Sequence, residues 1–516
     1  MLDQDKTESF VRDAWSWEKN RESVIFDALK EYIAIPNASP DFDPKWSENG
    51  HTDKAAELLV KSVSELKYRW GKQGVKTDDI TVEILGSRQF PEFDKNRQRR
   101  SPLICINIPA FGADAPEGSV LLYGHIDKQP ETLPWAEGLG PRTPVLKDNR
   151  LYGRGGADDG YAVFSAFTAV MALRAQNAGH AHCVIIAEAC EESGSKDLLY
   201  YIRKLENRIG DVSLIVCLDS GSGNYDQLWI TTSLRGLINF WLEVRVLNEG
   251  VHSGKASGIA PGSYRITGQL ISRIENITTG EITPSYLKVE IPVEIRKQAR
   301  KTADIMGKQV YSNLPFANDN VQAADTDITE LLLNNTWRAQ LSVTGIQGLP
   351  VSHESAGNVL LPYTRVKLSL RLPPVMNAET TAKAVIKELT DNPPYNAVVS
   401  VSEVDPNNGW ATPALAPWLE KAFNDASIRF FRTKLSDKSK EAMYIGEGGS
   451  IPFMGLLGEM FPDAQFMITG VLGPNSNAHV PNEFLDLPYA QKVTMCVAQV
   501  ISAHYEAKRG EYGKST

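Results

Sequence analysis

In four places along the chain an apolar run ends abruptly in a side chain able to bind a metal or move a proton. Residues 120–123 run into Gly124-His125-Ile126-Asp127 and residues 184–187 into Glu188, Glu191 and Glu192. Residues 214–218 end at Asp219, and residues 465–469 are followed by Gly473-Pro474-Asn475-Ser476-Asn477-Ala478-His479. Between them, Gly153-Arg154-Gly155-Gly156-Ala157-Asp158-Asp159 stands just before a helical pattern. Two histidines with several carboxylates form an oxygen and nitrogen donor set suited to zinc, manganese or cobalt. Each feature alone has a plainer explanation. Adjacent acids often cap helix N-termini, an aspartate after a strand often starts a turn, and a lone histidine is more often hydrogen-bonded structure. Their shared position at strand ends argues against five separate coincidences, because carboxyl ends in an open α/β sheet line one ligand-binding crevice.

The elements that must position these residues follow from the apolar pattern. Residues 82–85, 103–108, 120–123, 182–187 and 214–218 read as strands, and 21–34, 161–175 and 196–205 as helices. Nearly unbroken apolar strands alternating with helices predict a buried, largely parallel sheet. Near residue 232 the texture changes. Residues 237–246 and 365–371 alternate, with Val366, Leu368 and Leu370 on one face and Lys367, Ser369 and Arg371 on the other. That pattern predicts an antiparallel sheet with one wet face, covered by helices near 263–277 and 378–389. The buried style returns with a strand at 465–469 and a helix over 488–504. The expected domains are therefore 1–232 with 405–516, interrupted by an α+β insert over 233–404.

Composition narrows the class. A chain of 516 residues exceeds what one core of ~250–300 residues supports, and 42% hydrophobic with 23% charged residues describes a globular protein. A net charge of −9 argues against a nucleic-acid partner, which needs a positive field. No run reaches the ~18 apolar residues of a membrane span, and residues 1–10 are too polar for a signal peptide. The five cysteines never fall as C-x-x-C, which disfavours a disulfide framework or thiolate zinc site and points to a reducing cytoplasm. Cys105, Cys183 and Cys217 lie inside strand-like runs and are expected to be buried. The basic stretch Lys95, Arg97, Arg99 and Arg100 reads as a solvated loop. His51, His180, His182, His353 and His504 lack the strand-end context and are expected to be structural or surface residues. There is no nucleophile elbow and no phosphate-binding loop, and Asp158 occupies the sixth position of the dinucleotide fingerprint begun by Gly153-Arg154-Gly155.

Taken together, Gly124-His125-Ile126-Asp127, Asp158-Asp159, Glu191-Glu192-Ser193-Gly194-Ser195, Asp219, His252-Ser253-Gly254, Ser369-Leu370-Arg371-Leu372-Pro373, Glu447-Gly448-Gly449-Ser450-Ile451-Pro452 and His479 resemble the co-catalytic zinc peptidases. That family holds carnosine-type dipeptidases, glutamate carboxypeptidases, aminoacylases and desuccinylases. Asp219, the segment 124–130, Leu234-Arg235-Gly236 and Arg371-Leu372-Pro373 look most like the carnosine-dipeptidase branch. The resemblance implies a zinc-peptidase-like α/β catalytic domain interrupted by a lid and dimerisation domain. It implies two divalent ions, Zn²⁺ with Mn²⁺ or Co²⁺ as alternatives. Asp158 would bridge them, with His125 and Asp219 on one and Glu192 and His479 on the other. Asp127 would orient His125, and Glu191 would be the general base. His252 would act on the substrate of the partner subunit in a homodimer, Arg371 would grip a substrate carboxylate bidentately, and Gly449 and Ser450 would donate hydrogen bonds beside it.

The chain departs from the family in one motif, carrying Gly160-Tyr161 where relatives usually have Lys-Gly after the paired aspartates. Those relatives hold the Asp–Asp bond in cis. The expected function is hydrolysis of a dipeptide or short peptide with a free C-terminal carboxylate. An N-acyl-amino-acid amidohydrolase using the same metals and an inactive binding protein of this fold are the alternatives. The N-terminal hundred residues carry no readable chemistry.

Overall fold

The computed structural model describes residues 2–18, 22–113, 116, 118–350, 352, 354–432, 440–449 and 452–510, without the side chain of Pro452. Ser450 and His353 lie outside the described residues. The chain divides into two compact units, one of Met1–Thr231, Thr412–Ile445 and Leu456–Thr516, the other of Thr232–Ala411 and Gly446–Gly455.

The first unit is built on a six-stranded sheet in the order Thr81–Leu85, Leu103–Ile108, His182–Glu188, Ser119–His125, Val212–Cys217, Gln465–Ile468. The last four strands run parallel, and the first two attach antiparallel. The sheet is thus mixed, with a parallel centre. The strand Ser119–His125 is buried at every residue, and its neighbours almost so. Burial on both faces is why these strands read as continuous apolar runs and not as alternating ones.

The helix Ala162–Arg174 is buried at all 13 positions. It lies between the strands Ser119–His125 and His182–Glu188 and the long helix Leu487–Lys508. A helix in that place must be apolar all round, which Phe164, Phe167, Val170 and Leu173 provide. Each such side chain contributes roughly 1.5–3 kcal/mol by burial. All five cysteines are buried and unpaired.

The basic stretch at 95–100 is a loop, but Arg99 and Arg100 are not solvated. Arg99 forks onto Asp53 and also donates to Gly86 O, and Arg100 Nη1 meets Asp197 Oδ1 at 2.7 Å. Those acids stand 46 and 97 residues from their partners, beyond any local pattern.

The second unit holds a four-stranded antiparallel sheet in the order Gln340–Gln347, Tyr363–Leu372, Gly236–Arg245, Val398–Asn407. Ile238, Phe240, Leu242 and Val244 alternate with half-buried residues. With Val366, Leu368 and Leu370 they pack on Ile266 and Leu270 of the helix Ser263–Ile271 and on Ala382, Val385 and Leu389 of Ala378–Thr390. Two further helices, Val293–Met306 and Ile328–Thr336, surround a small cluster of Ile291, Leu333 and Trp337. No described helix is long and apolar enough to cross a membrane.

Candidate metal centre

The four parallel strands of the first unit end at one edge, and the polar residues gather there. His125 is the last residue of its strand, and Asp219 lies just past Val212–Cys217. Glu191 and Glu192 form a tight turn beyond His182–Glu188. Asp158 lies in the turn Gly156–Gly160 that leads into the buried helix, and its bond to Asp159 is cis. His479 comes from the loop after Gln465–Ile468, with φ at 66°, a left-handed conformation uncommon for residues other than glycine.

Asp158 stands in the middle. Its Oδ1 is 3.1 Å from His125 Nε2, and its Oδ2 is 2.9 Å from His479 Nε2. His125 Nε2 is 3.8 Å from Asp219 Oδ2, and His479 Nε2 is 3.5 Å from Glu192 Oε1. Two trios result, His125–Asp158–Asp219 and Asp158–Glu192–His479, each with donor atoms within 4.8 Å of one another.

Several neighbours hold this constellation, and most of them carried no signal in the sequence. Asp127 is 3.4 Å from His125 Nδ1 through its carboxylate, and its two oxygens accept the main-chain N–H groups of Glu191 and Glu192. The Asp127 main-chain O is nearer the same nitrogen, at 3.2 Å, so Asp127 orients the imidazole through both groups while its carboxylate shapes the acidic turn. Gln129 donates from Nε2 to Glu192 Oε2, which leaves Glu192 Oε1, buried and without a hydrogen-bond partner among the described residues, aimed at the trio. Glu483 pairs with buried Arg154 and accepts the N–H groups of Gly155, Ala157 and Asp158. It thereby fixes the turn that presents Asp158.

The N-terminal residues also contribute. Tyr32 and Asn37 both donate to Ile126 O, and the Lys128 ammonium donates to the carbonyls of Tyr32 and Ile35 at the end of the helix Val24–Ala34. At the family departure, a Cβ on Gly160 would stand 2.4 Å from the Tyr32 ring. Tyr161 is fully buried and donates to Leu218 O, one residue before Asp219.

Electrostatically the site is overloaded with acid. Burial works against the Asp158 carboxylate, but hydrogen bonds from His125 and His479 hold it below its ordinary range. Burial and then the Asp158 charge push Glu192 up to about 8. Burial and then Asp219 push Glu191 well above a normal carboxyl. Burial opposes protonation of His479, yet Asp158 and Glu192 raise it to about 9. Crowded carboxylates that resist ionisation, with an unpartnered oxygen aimed among imidazoles, fit divalent cations.

In the second unit, His252 is exposed and ends the short strand Val251–His252, with Nδ1 accepting from Gly254 N–H at 3.0 Å. Arg371 is half-buried near the end of Tyr363–Leu372, and Gly449 is exposed, its carbonyl accepting from Arg235 N–H.

The first unit is thus a mixed α/β fold with two oxygen and nitrogen donor clusters at its strand ends, each able to hold a metal ion. Comparison with known proteins identifies the family: residues 121–503 match Peptidase family M20/M25/M40, and the chain belongs to it. It is 27% identical over 394 residues to the cysteinylglycine-S-conjugate dipeptidase of Corynebacterium striatum, covering 75% of this chain and 81% of that one. It is 25% identical over 441 residues to the Beta-Ala-His dipeptidase of Homo sapiens, covering 84% and 80%. Its fold is similar to that of human carnosine dipeptidase 1, with a TM-score of 0.69 at 20% identity over 98% and 99% of the two chains.

Proposed function

We propose that this metallohydrolase is a dipeptidase, cleaving the amide bond of a dipeptide or short peptide that ends in a free carboxylate. The observation that carries the reading is the pair of trios sharing Asp158, each oxygen of which faces a different histidine. His125 and Asp219 would hold one divalent ion, His479 and Glu192 the other, and Asp158 both. The ions, zinc in our reading with manganese or cobalt as alternatives, would supply Lewis acidity that makes water nucleophilic near neutral pH and polarises a carbonyl. Glu191 serves as general base. Burial and then Asp219 raise its carboxyl well above a normal one, and a raised carboxyl is the stronger proton acceptor. It accepts a proton from the attacking water and returns it to the leaving amine. Asp127 keeps His125 and the Glu191-Glu192 turn in register. Arg371 would bind the terminal carboxylate, and Gly449 and Ser450 would donate hydrogen bonds to it. The names of two relatives, a cysteinylglycine-S-conjugate dipeptidase and a Beta-Ala-His dipeptidase, support the substrate class.

The test is a panel of Cys-Gly, β-Ala-His and other dipeptides set against N-acetyl and N-succinyl amino acids, with zinc, manganese or cobalt present. Dipeptides should turn over fastest, and Glu191→Gln should lose roughly 10²–10⁴-fold in kcat with metal still bound. Faster turnover of the acylated amino acids would instead favour an amidohydrolase, and substantial turnover by the variant would remove Glu191 from its role. Five buried, unpaired thiols support a cytoplasmic location. We assign the residues around 233–404 the role of lid and dimerisation domain, with His252 acting on the partner's substrate. Sedimentation should then give twice the 56.9 kDa chain mass, and an active monomer would remove that role.

A further inference from the structure

Between the strands Trp229–Leu234 and Gly236–Arg245 stands Arg235, only 6% exposed. Its main-chain N–H meets Glu447 O at 3.3 Å and Gly449 O at 3.0 Å. Its Nε donates to Gly448 O at 3.2 Å and its Nη1 to Asn334 O at 3.4 Å. Every one of these acceptors is a neutral carbonyl. The remaining donor, Nη2, faces Gly448, where a Cβ would come within 3.2 Å of it. The absence of a side chain at 448 keeps that approach open.

Arg371 stands close by. It pairs across the antiparallel ladder with Leu237, two residues past Arg235. After burial itself, the Arg371 charge is what lowers Arg235, to about 10. Among the described residues, no carboxylate acts on either guanidinium. Elsewhere buried arginines are matched, Arg154 by Glu483 and Arg174 by Asp79. A guanidinium keeps its proton, and a buried charge without a counter-charge is costly unless something supplies one. Arg235 is such a charge, and the half-buried Arg371 adds a second positive group to the same anion-seeking place.

We propose that Arg235 is the second cation of a carboxylate subsite formed with Arg371 and the Gly448–Gly449 main chain, and that it restricts the enzyme to substrates with a free terminal carboxylate. The inference rests on the peptidase reading for the identity of the anion. Arg235 contributes in two ways. Its Nε and main-chain N–H hold the 447–449 carbonyls in place, and its free Nη2 and charge complement the ligand. A purely structural arginine would do only the first.

The two roles separate experimentally. The metal-loaded full-length enzyme, Arg235→Met and Arg235→Lys are compared on one dipeptide and on its C-terminal amide. Calorimetry with a non-hydrolysable isostere of each reads binding without turnover. Arg235→Met should lose roughly 30- to 100-fold in kcat/KM on the free carboxylate, mainly through KM, and several-fold less on the amide. Arg235→Lys, which keeps charge without the planar fork, should recover part of the preference. Equal losses on both substrates, or a Lys variant no better than Met, would reduce Arg235 to a scaffold residue while leaving the dipeptidase reading intact. If no peptide is hydrolysed but the carboxylate isostere is preferred through Arg235, the subsite stands and the dipeptidase reading falls.

Discussion

Glu192 shows how much of a ligand's competence lies in residues around it. One of its oxygens takes the Gln129 amide, and the other is left unpartnered toward His479 and Asp158. The amide selects which oxygen is offered, and a ligating carboxylate without such a partner is free to rotate. Partners of this kind typically matter 10–100-fold in metal affinity. Gln129→Ala should therefore weaken one of two divalent binding events by roughly that factor while leaving the other nearly unchanged. Calorimetric titration of the metal-free protein with zinc or manganese would show two events drawing apart, and an equal loss at both would refute the assignment. Of the two trios, His125, Glu192, Asp219 and His479 were legible in the sequence because each ends or follows an apolar run, and Asp158 because it stands just before a helical one. Gln129, Glu483, Tyr161, Tyr32 and Asn37 were not. They are ordinary polar residues whose partners lie across the fold, as with Glu483 and Arg154, which are 329 positions apart.

At the scale of elements, the buried strands of the first unit and the alternating ones of the second fall within about two residues of where the pattern puts them, because sheet burial writes itself directly into side-chain type. The helices Val293–Met306 and Ile328–Thr336 were missed for the opposite reason: they bury little, Thr302 and Ala303 in one and Leu332, Leu333 and Thr336 in the other. Another consequence of packing concerns how the helix Ala162–Arg174 is fastened. Arg174 Nε donates to His180 Nε2 at 3.0 Å, and His180 Nδ1 faces Ala181 O at 2.7 Å, an arrangement that needs a neutral imidazole. Burial lowers His180 to about 4, and burial followed by Lys508 lowers His504 to about 4. An unfolded histidine titrates near 6.5. Between those values the unfolded chain takes up protons that the folded one refuses, so this stability is present above pH 6.5 and is lost as pH falls toward 4. The loss by pH 5 should be about 2 kcal/mol for each imidazole. Urea unfolding with metal in excess at pH 7, 6 and 5 should show it, and His180→Gln should flatten the decline by about one proton. An unchanged slope in that variant would mean His180 is not held neutral.

For the whole molecule, the division of labour between the two units makes a thermodynamic demand. Each residue of the two metal trios belongs to the first unit, together with Asp127, Gln129, Glu191 and Glu483. The second unit has a separate core, centred on Phe240, Leu242, Leu368 and Leu370, and none of the proposed metal ligands. A ligand that binds only the folded state stabilises whatever unit must be folded to bind it, by about 2.7 kcal/mol at a hundredfold excess over Kd and 4.1 at a thousandfold. Divalent metal should therefore act on one unit's unfolding and not on the other's. In differential scanning calorimetry, removing metal with a chelator should lower one transition by several degrees and leave a second nearly in place, and adding zinc or manganese back should restore only the first. Crowding at Glu191 and Glu192 works in the same direction, since burial and their acidic neighbours raise both carboxyls when no cation is present to offset the charge. The shift should consequently shrink at lower pH, where protons compete with the metal for the same atoms. A single transition that moves as one body would show that the two cores unfold cooperatively, and a shift confined to the transition of the second unit would contradict the placement of the metal site.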